Sequence, residues 1–423
     1  MSLSCFDFGE RMLTVDEARA AVLELAPRPL GDEWRPLESL HGRVLAQSLV
    51  SPIDVPQNTN SAMDGIALAW PETEAARPDS WAQAGEVLAG HRHETPLAPG
   101  ECVRITTGAP LPAGADTVIM REQIEHQEGR VRVAHPDAVR RGQNVRLAGE
   151  DIARGAVALA AGTRLGAAEL GLLASLGMAQ ALVRRRPRVA VFSTGDEVTA
   201  PGKPLPAAGI FDANRFSLAG LIAEHGGEVC DLGILPDERD VMVAALADAA
   251  HDADLVMTSG GVSVGEADQV RAALAEVGEL GFWKIAIRPG RPLACGRLGA
   301  QRTPFFGLPG NPVAAMVTFL QFVAPVLRRL QGCQTTDPCR FTALAESDLP
   351  SRKGRVDFLR GIFHCDARGQ LRVRSTGHQG SGILSSMVAA NCLIEIAADC
   401  ERIAQGDAVT IQPFADICRG MPS

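Results

Sequence analysis

The chain lacks the short motifs that define several large classes of protein. Its ten cysteines form no Cys-x-x-Cys pair and no Cys or His spacing of the zinc-site type. Neither a Walker A sequence nor a dinucleotide-binding glycine fingerprint is present. We therefore expect reduced, mostly buried thiols, and we exclude a disulfide-rich domain and a zinc finger.

The chain also lacks an excess of basic charge. Its formal net charge is -9 at pH 7, whereas a nucleic-acid surface needs clustered lysine and arginine. The first residues show no basic segment followed by an apolar one, and no run of about 18 apolar residues occurs later. We expect a cytoplasmic protein that binds neither nucleic acid nor a membrane.

The 423 residues do contain enough apolar sequence, 46%, for two to four domains. Helix-like spacing near the N-terminus returns after a stretch of short apolar runs, which predicts a small β domain inserted into a helical one. Strands then alternate with helices, as in a parallel sheet. The predicted domains are a helical linker at 1–50 and 141–183, a small β domain at 51–140, an α/β domain at 184–332 and a C-terminal β domain at 338–418.

Local signals predict where some helices begin. Thr14 and Glu17 are placed to form a capping box ahead of a first helix, and residues 37–49 have the spacing of a second helical piece. Later in the chain, Asn311 is a good helix cap and Pro312 suits the first helical turn. We expect a helix to run from there to about residue 330.

Three crossings from a strand into a polar loop predict a ligand pocket. They lie at residues 188–197, 254–268 and 305–312. Loops at the carboxyl ends of neighbouring parallel strands converge on one crevice, and glycine lets the backbone approach a ligand closely with positive φ. The residues expected to contact the ligand are Ser193, Thr194, Gly195, Ser259, Gly260, Gly261, Ser263, Pro309, Gly310 and Asn311.

Charged residues near these loops indicate what the pocket binds. Asp268 and Glu266 offer the hard oxygen ligands that Mg²⁺ prefers. Arg288 and Arg291 lie three residues apart across a Pro-Gly turn, so both guanidinium groups can face one anion. Mg²⁺ beside an oxyanion fits this pattern, although a loop with solvated charges would show it too.

Three further segments are rich in hydrogen-bonding side chains. Residues 58–65 and 144–151 are each either a capped turn or a ligand loop, and the residues alone leave both interpretations open. Residues 377–387 place Ser381 on a glycine-rich turn, but no complete hydrolytic triad can be assigned from residue order.

Taken in order, these motifs resemble one family. The resemblance covers nearly the whole chain and rests on the segments 60–65, 104–110, 144–151, 193–197, 259–265, 307–313 and 379–381. They are similar to the molybdopterin molybdenumtransferases, called MoeA in bacteria, and to the C-terminal domain of the eukaryotic scaffold gephyrin.

The resemblance implies a role in molybdenum cofactor biosynthesis. The reaction would insert molybdate into adenylylated molybdopterin, with Mg²⁺ and with release of AMP. The resemblance further implies a homodimer formed through the linker domain, a central α/β domain like MogA and MoaB with a parallel-rich sheet, and a C-terminal β-barrel-like domain. The product would pass to cofactor-accepting proteins. Molybdate, a tetrahedral dianion, and a phosphorylated pterin both suit anion-holding loops.

The resemblance also implies roles for individual residues. Those expected in catalysis are Asp64, Asp151, Glu197, Asp237, Asp268 and Lys284. Thr107 is expected to contact substrate, and Asp196 and Asp268 are the leading Mg²⁺ ligands. The residues expected to hold molybdate are Arg288, Arg291, Arg355 and Ser381.

Three positions depart from the family pattern. The family commonly has lysine where this chain has Arg288 and Arg291, and serine where Ala314 follows Asn-Pro-Val. At the first two positions the compact ammonium of lysine is replaced by the planar guanidinium of arginine. At the third position the hydroxyl of serine is lost. Two alternatives therefore stay open, namely tungstate as the oxyanion and a carrier or gephyrin-like scaffold that binds the cofactor without turnover.

Overall fold

The computed structural model describes residues 11–236, 238–260 and 268–414, without the side chains of residues 268–271. Its α-helices are α1 (Val15–Leu23), α2 (Ala167–Ser175), α3 (Asn214–Glu224), α4 (Arg239–Asp252), α5 (Asp268–Val277), α6 (Pro312–Thr318), α7 (Ala324–Leu330) and α8 (Ser385–Ala389). Its strands are β1 (Met12–Leu13), β2 (Asp32–Pro36), β3 (Leu49–Val50), β4 (Asn60–Ser61), β5 (Gly65–Leu68), β6 (Trp81–Val87), β7 (Glu101–Ile105), β8 (Thr117–Met120), β9 (Ile124–Gln127), β10 (Arg130–Val133), β11 (Val145–Arg146), β12 (Val157–Leu159), β13 (Gln180–Arg184), β14 (Arg188–Thr194), β15 (Val198–Thr199), β16 (Ile210–Phe211), β17 (Glu228–Leu235), β18 (Leu255–Ser259), β19 (Gly278–Ile285), β20 (Ile287–Arg288), β21 (Pro292–Leu298), β22 (Thr303–Leu308), β23 (Phe341–Ala345), β24 (Leu349–Pro350), β25 (Val356–Cys365), β26 (Leu371–Ser375), β27 (Cys392–Ile396), β28 (Arg402–Ile403) and β29 (Ala408–Pro413).

The chain forms two compact units. The small unit comprises Gln47–Ala160 and Ala167–Gln180, and the large unit comprises Met1–Ala46, Ala161–Gly166 and Ala181–Ser423. The division into four domains is finer than this and stays a prediction.

The small unit is built on a six-stranded sheet in the order β8-β5-β7-β6-β10-β9. Its neighbouring strands are antiparallel except for the parallel pair β6 and β7. Successive residues of β5 point to opposite faces, so Ile66 and Leu68 enter one buried cluster and Ala67 enters another. Short apolar runs therefore fold into a sheet covered on both faces, in agreement with the predicted small β structure.

The predictions for the N-terminal helices are half right. The capping box forms, because the backbone N–H of Glu17 donates to Thr14 Oγ1 at 3.2 Å and the backbone N–H of Thr14 donates to Glu17 Oε2 at 2.9 Å. Residues 37–49 are not a helix beyond a single 3₁₀ turn, and Leu45 instead forms a bridge with Val183. Pairing with a distant segment therefore outweighs the local apolar spacing that predicted a helix.

The large unit contains a seven-stranded sheet in the order β1-β19-β21-β22-β18-β14-β17. The four strands β22, β18, β14 and β17 run parallel, whereas β21 is antiparallel to both its neighbours. Strand β14 is buried on both faces, with Val189 and Val191 in one cluster and Ala190 and Phe192 in the other. A continuous apolar run is typical of such a doubly covered parallel strand.

A long helix follows β22. It begins at Pro312 as predicted, but the side chain of Asn311 makes no cap hydrogen bond, and a π-helical turn at Phe319–Val323 joins α6 to α7. By length and composition alone, Pro312–Leu330 could cross a membrane, yet 78% of that apolar window is buried inside the protein. The helix contributes Val313, Val317 and several later residues to the main core, so we interpret it as a core helix.

The C-terminal strands close into a barrel. Strands β25, β26, β23, β29 and β27 form a ring that the pairing of β25 with β27 completes, as predicted for a β-barrel-like domain. Strand β20 pairs in parallel with the first residues of β25, with Ile287 opposite Val356 and Arg288 opposite Asp357, before the pairing of β25 with β26 begins at Gly361. This pairing brings the basic turn at 288–291 to the barrel.

The expectation of reduced thiols is wrong for Cys339. Cys339 is disulfide-bonded. The free cysteines of the described chain are Cys102, Cys230, Cys295, Cys333, Cys365, Cys392 and Cys400.

Candidate active site

A cavity of about 1100 Å³ opens in the large unit between strand-end loops and the barrel. One side, the strand-end wall, consists of Thr194, Gly195, Asp196, Glu197, Gly260, Pro309, Gly310, Asn311 and Ala314. The opposite side, the barrel wall, consists of Pro350, Arg352, Arg355, Asp357, Phe358, Leu359, Arg360, Gln379 and Ser381. Residues 287–292 join the two walls.

The strand-end wall is shaped by close contacts between loops. Gly260 has a φ of +87°, as predicted for a glycine that lets the backbone turn toward a ligand. The side chain of Asn214, the first residue of α3, donates from Nδ2 to Ser259 Oγ at 2.6 Å and to the Gly310 carbonyl at 2.7 Å. A single amide group thus holds the end of β18 against the loop that precedes α6. Ser259 is buried and is not among the residues that line the cavity.

Ser193 is also buried and is not among the residues that line the cavity. Its hydroxyl donates to Asp212 Oδ1 at 2.9 Å, and Asp212 accepts from Arg215 Nε at 2.7 Å. Burial lowers the pKa of Arg215, but its bonds to Asp212 and Asp231 outweigh this and raise the pKa above its ordinary value. The guanidinium therefore stays charged and fixes the base of the loop that carries Asp196.

Two carboxylates mark the edge of the strand-end wall. Asp196 and Glu197 are exposed and line the cavity. Next to them, Thr194 Oγ1 is buried and has no hydrogen-bond partner within the described residues. The described chain contains no cluster of three or more His, Cys, Asp or Glu side chains that could hold a metal ion. Any cation here would need ligand atoms from elsewhere, as Mg²⁺ does when it binds one or two carboxylates together with substrate phosphates.

Positive charge dominates the cavity. Five arginines line it, namely Arg288, Arg291, Arg352, Arg355 and Arg360, against the three carboxylates Asp196, Glu197 and Asp357. Within the described chain, only Arg288 among these arginines forms an ion pair. The unpaired guanidinium groups make the cavity a receptor for anions.

The most buried of these arginines is Arg360, which is 1% exposed. Its Nε donates to Ser386 Oγ at 3.1 Å, and its Nη1 and Nη2 donate to the carbonyls of Phe358 and Gly380 at 3.4 and 3.3 Å. Burial lowers the pKa of Arg360 to about 10, so the side chain is still a cation at neutral pH. A buried cation bonded only to neutral acceptors is costly, and an anion in the cavity would offset that cost.

The loop that presents Ser381 is tied on both sides. Gln379 Oε1 accepts from the backbone N–H of Arg360 at 2.8 Å, and Gln379 Nε2 donates to the Arg360 carbonyl at 3.1 Å. The Ser381 carbonyl accepts from the backbone N–H of Val313 at 3.0 Å. The barrel and the first turn of α6 thus both position this serine.

Several predicted site residues are not among the described residues that line the cavity. Lys284 is exposed on β19 and is not among the lining residues. Asp64, Thr107 and Asp151 belong to the small unit. The roles predicted for Asp237, Gly261, Ser263 and the side chain of Asp268 fall outside the described residues.

Within the small unit, Asp64 and Thr107 are partners. The backbone N–H and the hydroxyl of Thr107 donate to Asp64 Oδ1 at 2.7 and 2.8 Å. These two bonds, the backbone one first, hold the pKa of Asp64 below its ordinary value. The loop at 58–65 is thus at least a well-bonded turn, and both residues remain exposed.

Sequence reasoning missed part of the site. Asn214, Arg352, Asp357 and Arg360 were not predicted, although Arg355, in the same short segment, was. The only sequence signal was a set of charged residues between apolar ones at 355–360, which is unusual for a strand that is to be buried.

Known proteins that are similar along most of this chain belong to one family. Family models match the MoeA N-terminal region (domain I and II) over residues 13–177, a probable molybdopterin binding domain over 190–329 and the MoeA C-terminal region (domain IV) over 342–414. A molybdopterin molybdenumtransferase of Haemophilus influenzae is 43% identical over 404 residues, which cover 95% of this chain and 99% of that protein. The chain belongs to the MoeA family.

Other MoeA relatives match along most of their length. A molybdopterin molybdenumtransferase of a Nostoc species is 36% identical over 364 residues, covering 84% of this chain and 83% of that protein. The crystal structure of a molybdopterin biosynthesis MoeA protein from Pyrococcus horikoshii OT3 superposes with a TM-score of 0.82 at 29% identity, covering 96% of this chain and 100% of that one. The relatives that carry the enzyme name are transferases, so membership in the family makes this chain a transferase.

Proposed function

We propose that this chain is the transferase of molybdenum cofactor biosynthesis that inserts molybdate into adenylylated molybdopterin and releases AMP, in the presence of Mg²⁺. The observation that carries the proposal is the cavity itself, where five arginines face loops built from glycine, hydroxyl and amide groups. Such a lining suits a ligand with several negative charges. Both proposed substrates are of that kind.

The two walls suit different parts of the reaction. The barrel wall, with Arg355, Arg360 and Ser381, offers side-chain donors for a compact oxyanion such as molybdate. The strand-end wall offers glycine loops at Gly195 and Gly310, where the backbone can approach a ligand closely, and this suits phosphate groups of the pterin. The turn with Arg288 and Arg291 joins the walls, and its two guanidinium groups would hold the oxyanion together with Arg355 and Ser381.

Magnesium fits the strand-end wall. The carboxylates of Asp196 and Glu197 are hard oxygen donors, and the buried Thr194 Oγ1 lacks a partner among the described residues. Asp196 and Glu197 would hold the ion at the cavity edge, where their exposure leaves room for phosphate oxygens and water. When bound there, Mg²⁺ would supply charge neutralisation for the phosphoanhydride.

The oxyanion is held without the hydroxyl that the family commonly places after Asn-Pro-Val. Ala314 is 3% exposed and is among the residues that line the cavity, so this position offers no side-chain hydrogen bond. The donors would be Arg288, Arg291, Arg355, Arg360 and Ser381. We propose molybdate as the substrate and expect tungstate, which is nearly isosteric, to bind at the same place.

The test is AMP release from adenylylated molybdopterin by the purified chain with Mg²⁺, measured with molybdate, with tungstate and with no oxyanion. We expect AMP release to depend on molybdate and to stop when Mg²⁺ is chelated. Tight binding of the pterin without AMP release under any oxyanion would contradict the transferase proposal and favour a carrier. AMP release at the same rate with and without molybdate would contradict the proposal that molybdate insertion and AMP release are coupled.

Family membership also supports three wider proposals. We propose that the chain acts as a homodimer, that it works in the cytoplasm, and that it passes its product to cofactor-accepting proteins. Light scattering on the purified chain tests the first of these, and a monomeric mass at micromolar concentration would contradict it.

A further inference from the structure

A carboxylate sits where the cavity should favour anions. Asp357 lines the cavity on β25 and is 2% exposed. Its negative charge repels any oxyanion bound nearby, so on electrostatic grounds alone an amide or an apolar residue would serve better. The contacts of Asp357 indicate what offsets that repulsion.

Within the described chain, the side-chain hydrogen bonds of this carboxylate go to a single oxygen. Asp357 Oδ2 accepts from Arg288 Nη1 at 2.9 Å and from the Ser351 hydroxyl at 2.8 Å. The other oxygen, Oδ1, is buried and has no hydrogen-bond partner within the described residues. The pairing of β20 with β25 sets Arg288 directly opposite Asp357, so the backbone fixes this contact as well as the side chains.

The contact leaves most of the guanidinium available. Arginine has five N–H groups in a rigid planar fork, and Asp357 uses a bond from one end of it. The Nε and Nη2 groups of Arg288 have no partner within the described part of the chain. Because the fork is planar, fixing Nη1 also fixes the direction in which these other groups donate.

We propose that Asp357 is a positioning residue, which holds one end of the Arg288 guanidinium so that its free N–H groups face the oxyanion. The proposal rests on the proposed function, because it takes the oxyanion to bind beside Arg288. Asp357 raises the oxyanion affinity of the cavity although its own charge opposes binding.

The same geometry accounts for an arginine at position 288. A lysine has a single ammonium on a flexible stem, so beside Asp357 it would be drawn to the carboxylate and would have to share its one charged group with the oxyanion. The guanidinium of arginine can donate to Asp357 and to the oxyanion at the same time. Asp357 and Arg288 therefore work as a pair, and the effect of changing one should depend on the other.

The experiment measures molybdate binding by calorimetry on the full chain, with tungstate as a second probe. We expect Asp357→Ala to weaken molybdate binding about tenfold, since a lost hydrogen bond to a charged group commonly costs this much. Asp357→Asn should bind within about threefold of the wild type, because its amide oxygen can still accept from Arg288 and Ser351. Its amide nitrogen takes the place of Oδ1, which has no partner to lose among the described residues.

A stricter test is whether the effect of Asp357→Ala on molybdate binding depends on the residue at position 288. In an Arg288→Lys background we expect Asp357→Ala to leave molybdate binding unchanged or to tighten it, because removing the carboxylate frees the ammonium. Tighter binding by Asp357→Ala in the arginine background would overturn the proposal, since Asp357 would then act only by repulsion. The same loss in both backgrounds would also overturn it.

Two controls separate positioning from a general structural effect. Asp366 pairs with Arg372 Nε at 2.9 Å in the same barrel, and it is not among the residues that line the cavity. Asp366→Ala should leave molybdate binding unchanged. The affinity of Asp357→Ala for adenylylated molybdopterin should stay within about twofold of the wild type, whereas a disordered site would weaken both ligands equally.

The outcomes also separate this inference from the proposed function. A wild-type chain that binds molybdate and releases AMP, together with an unaffected Asp357→Ala variant, would reject the positioning role alone. A wild-type chain that binds neither molybdate nor tungstate would reject the function on which the inference rests.

Discussion

The two walls of the cavity recognise charge by different means. The strand-end wall uses backbone groups, short hydroxyl and amide side chains and two exposed carboxylates, all from loops that follow parallel strands. The barrel wall uses long side chains that project from or beside one strand, β25, among them Arg355, Asp357 and Arg360. The conformation of the loops forms the first wall, whereas side chains on and beside one barrel strand form the second.

This difference affects how each wall tolerates change. Exposed side chains such as Asp196 make few contacts, so substituting them should alter chemistry and leave stability alone. Buried groups such as Arg360 are part of the packing, so substituting them should alter both. Substitutions at four places test this contrast, and they follow in order of decreasing effect.

The largest effect is expected at the edge of the strand-end wall. The double substitution Asp196→Asn with Glu197→Gln should lower the rate of AMP release about 1000-fold, because charge stabilisation by a metal ion is worth several kcal/mol. The midpoint of urea unfolding should not change, since both side chains are exposed. Rates measured across a range of Mg²⁺ concentrations check this, and an unchanged dependence on Mg²⁺ would remove these residues from the ion site.

The next effect is expected within the barrel wall. Arg360→Ala should lower the free energy of unfolding by about 3 kcal/mol, because it leaves a cavity and removes three hydrogen bonds. Urea denaturation measures this. Arg352→Ala, at an exposed position on the same wall, is the matched control and should change the free energy of unfolding by less than about 0.5 kcal/mol. Equal effects of the two variants would contradict the contrast between buried and exposed arginines.

A smaller effect is expected at the turn that joins the walls. Gly290 has a φ of +102°, and a Cβ placed there would lie 2.4 Å from Thr318 Oγ1. Gly290→Ala should destabilise the protein by about 2 kcal/mol through backbone strain and this clash. Gly354 is the control, because it has a φ of +94° and a Cβ there would meet nothing within 4 Å among the described residues.

The two glycine variants isolate the clash. Gly354→Ala carries the backbone strain alone, so it should cost about 1 kcal/mol. Adding Thr318→Ala to Gly290→Ala should recover part of the loss, because it removes the hydroxyl that the new methyl group would meet. Urea denaturation measures the free energy of unfolding of each variant. If Thr318→Ala restores none of it, the loss in Gly290→Ala comes from backbone strain and not from the contact with α6.

The smallest effect is expected at the exposed part of the barrel wall. Arg352→Ala should weaken molybdate binding by about threefold at low salt, since an exposed charge is screened by solvent. The difference from the wild type should disappear as the ionic strength rises. Calorimetric titrations at low and high salt measure this, and a loss that persists at high salt would place Arg352 in direct contact with the anion.

Most of the strand-end wall could be predicted from the sequence. Glycine, hydroxyl and amide residues after apolar runs mark loops at strand ends, because few other residues let a backbone approach a ligand closely. Thr194, Gly195, Gly260, Gly310 and Asn311 could therefore be predicted as neighbours, and they line one cavity. The family resemblance added Arg355 and Ser381 from the barrel wall.

The rest of the barrel wall could not be predicted, because it depends on contacts between distant parts of the chain. Asp357 and Arg360 lie within an apolar strand, where periodicity indicates burial but does not indicate a partner. Asp357 meets Arg288 only because β20 pairs with β25 across a separation of 69 residues, and Asn214 joins two loops that lie 45 and 96 residues away from it. The conformation of a loop depends mostly on its own residues, so it can be predicted from the local sequence. The partner of a buried charge depends on which distant strand the fold places beside it.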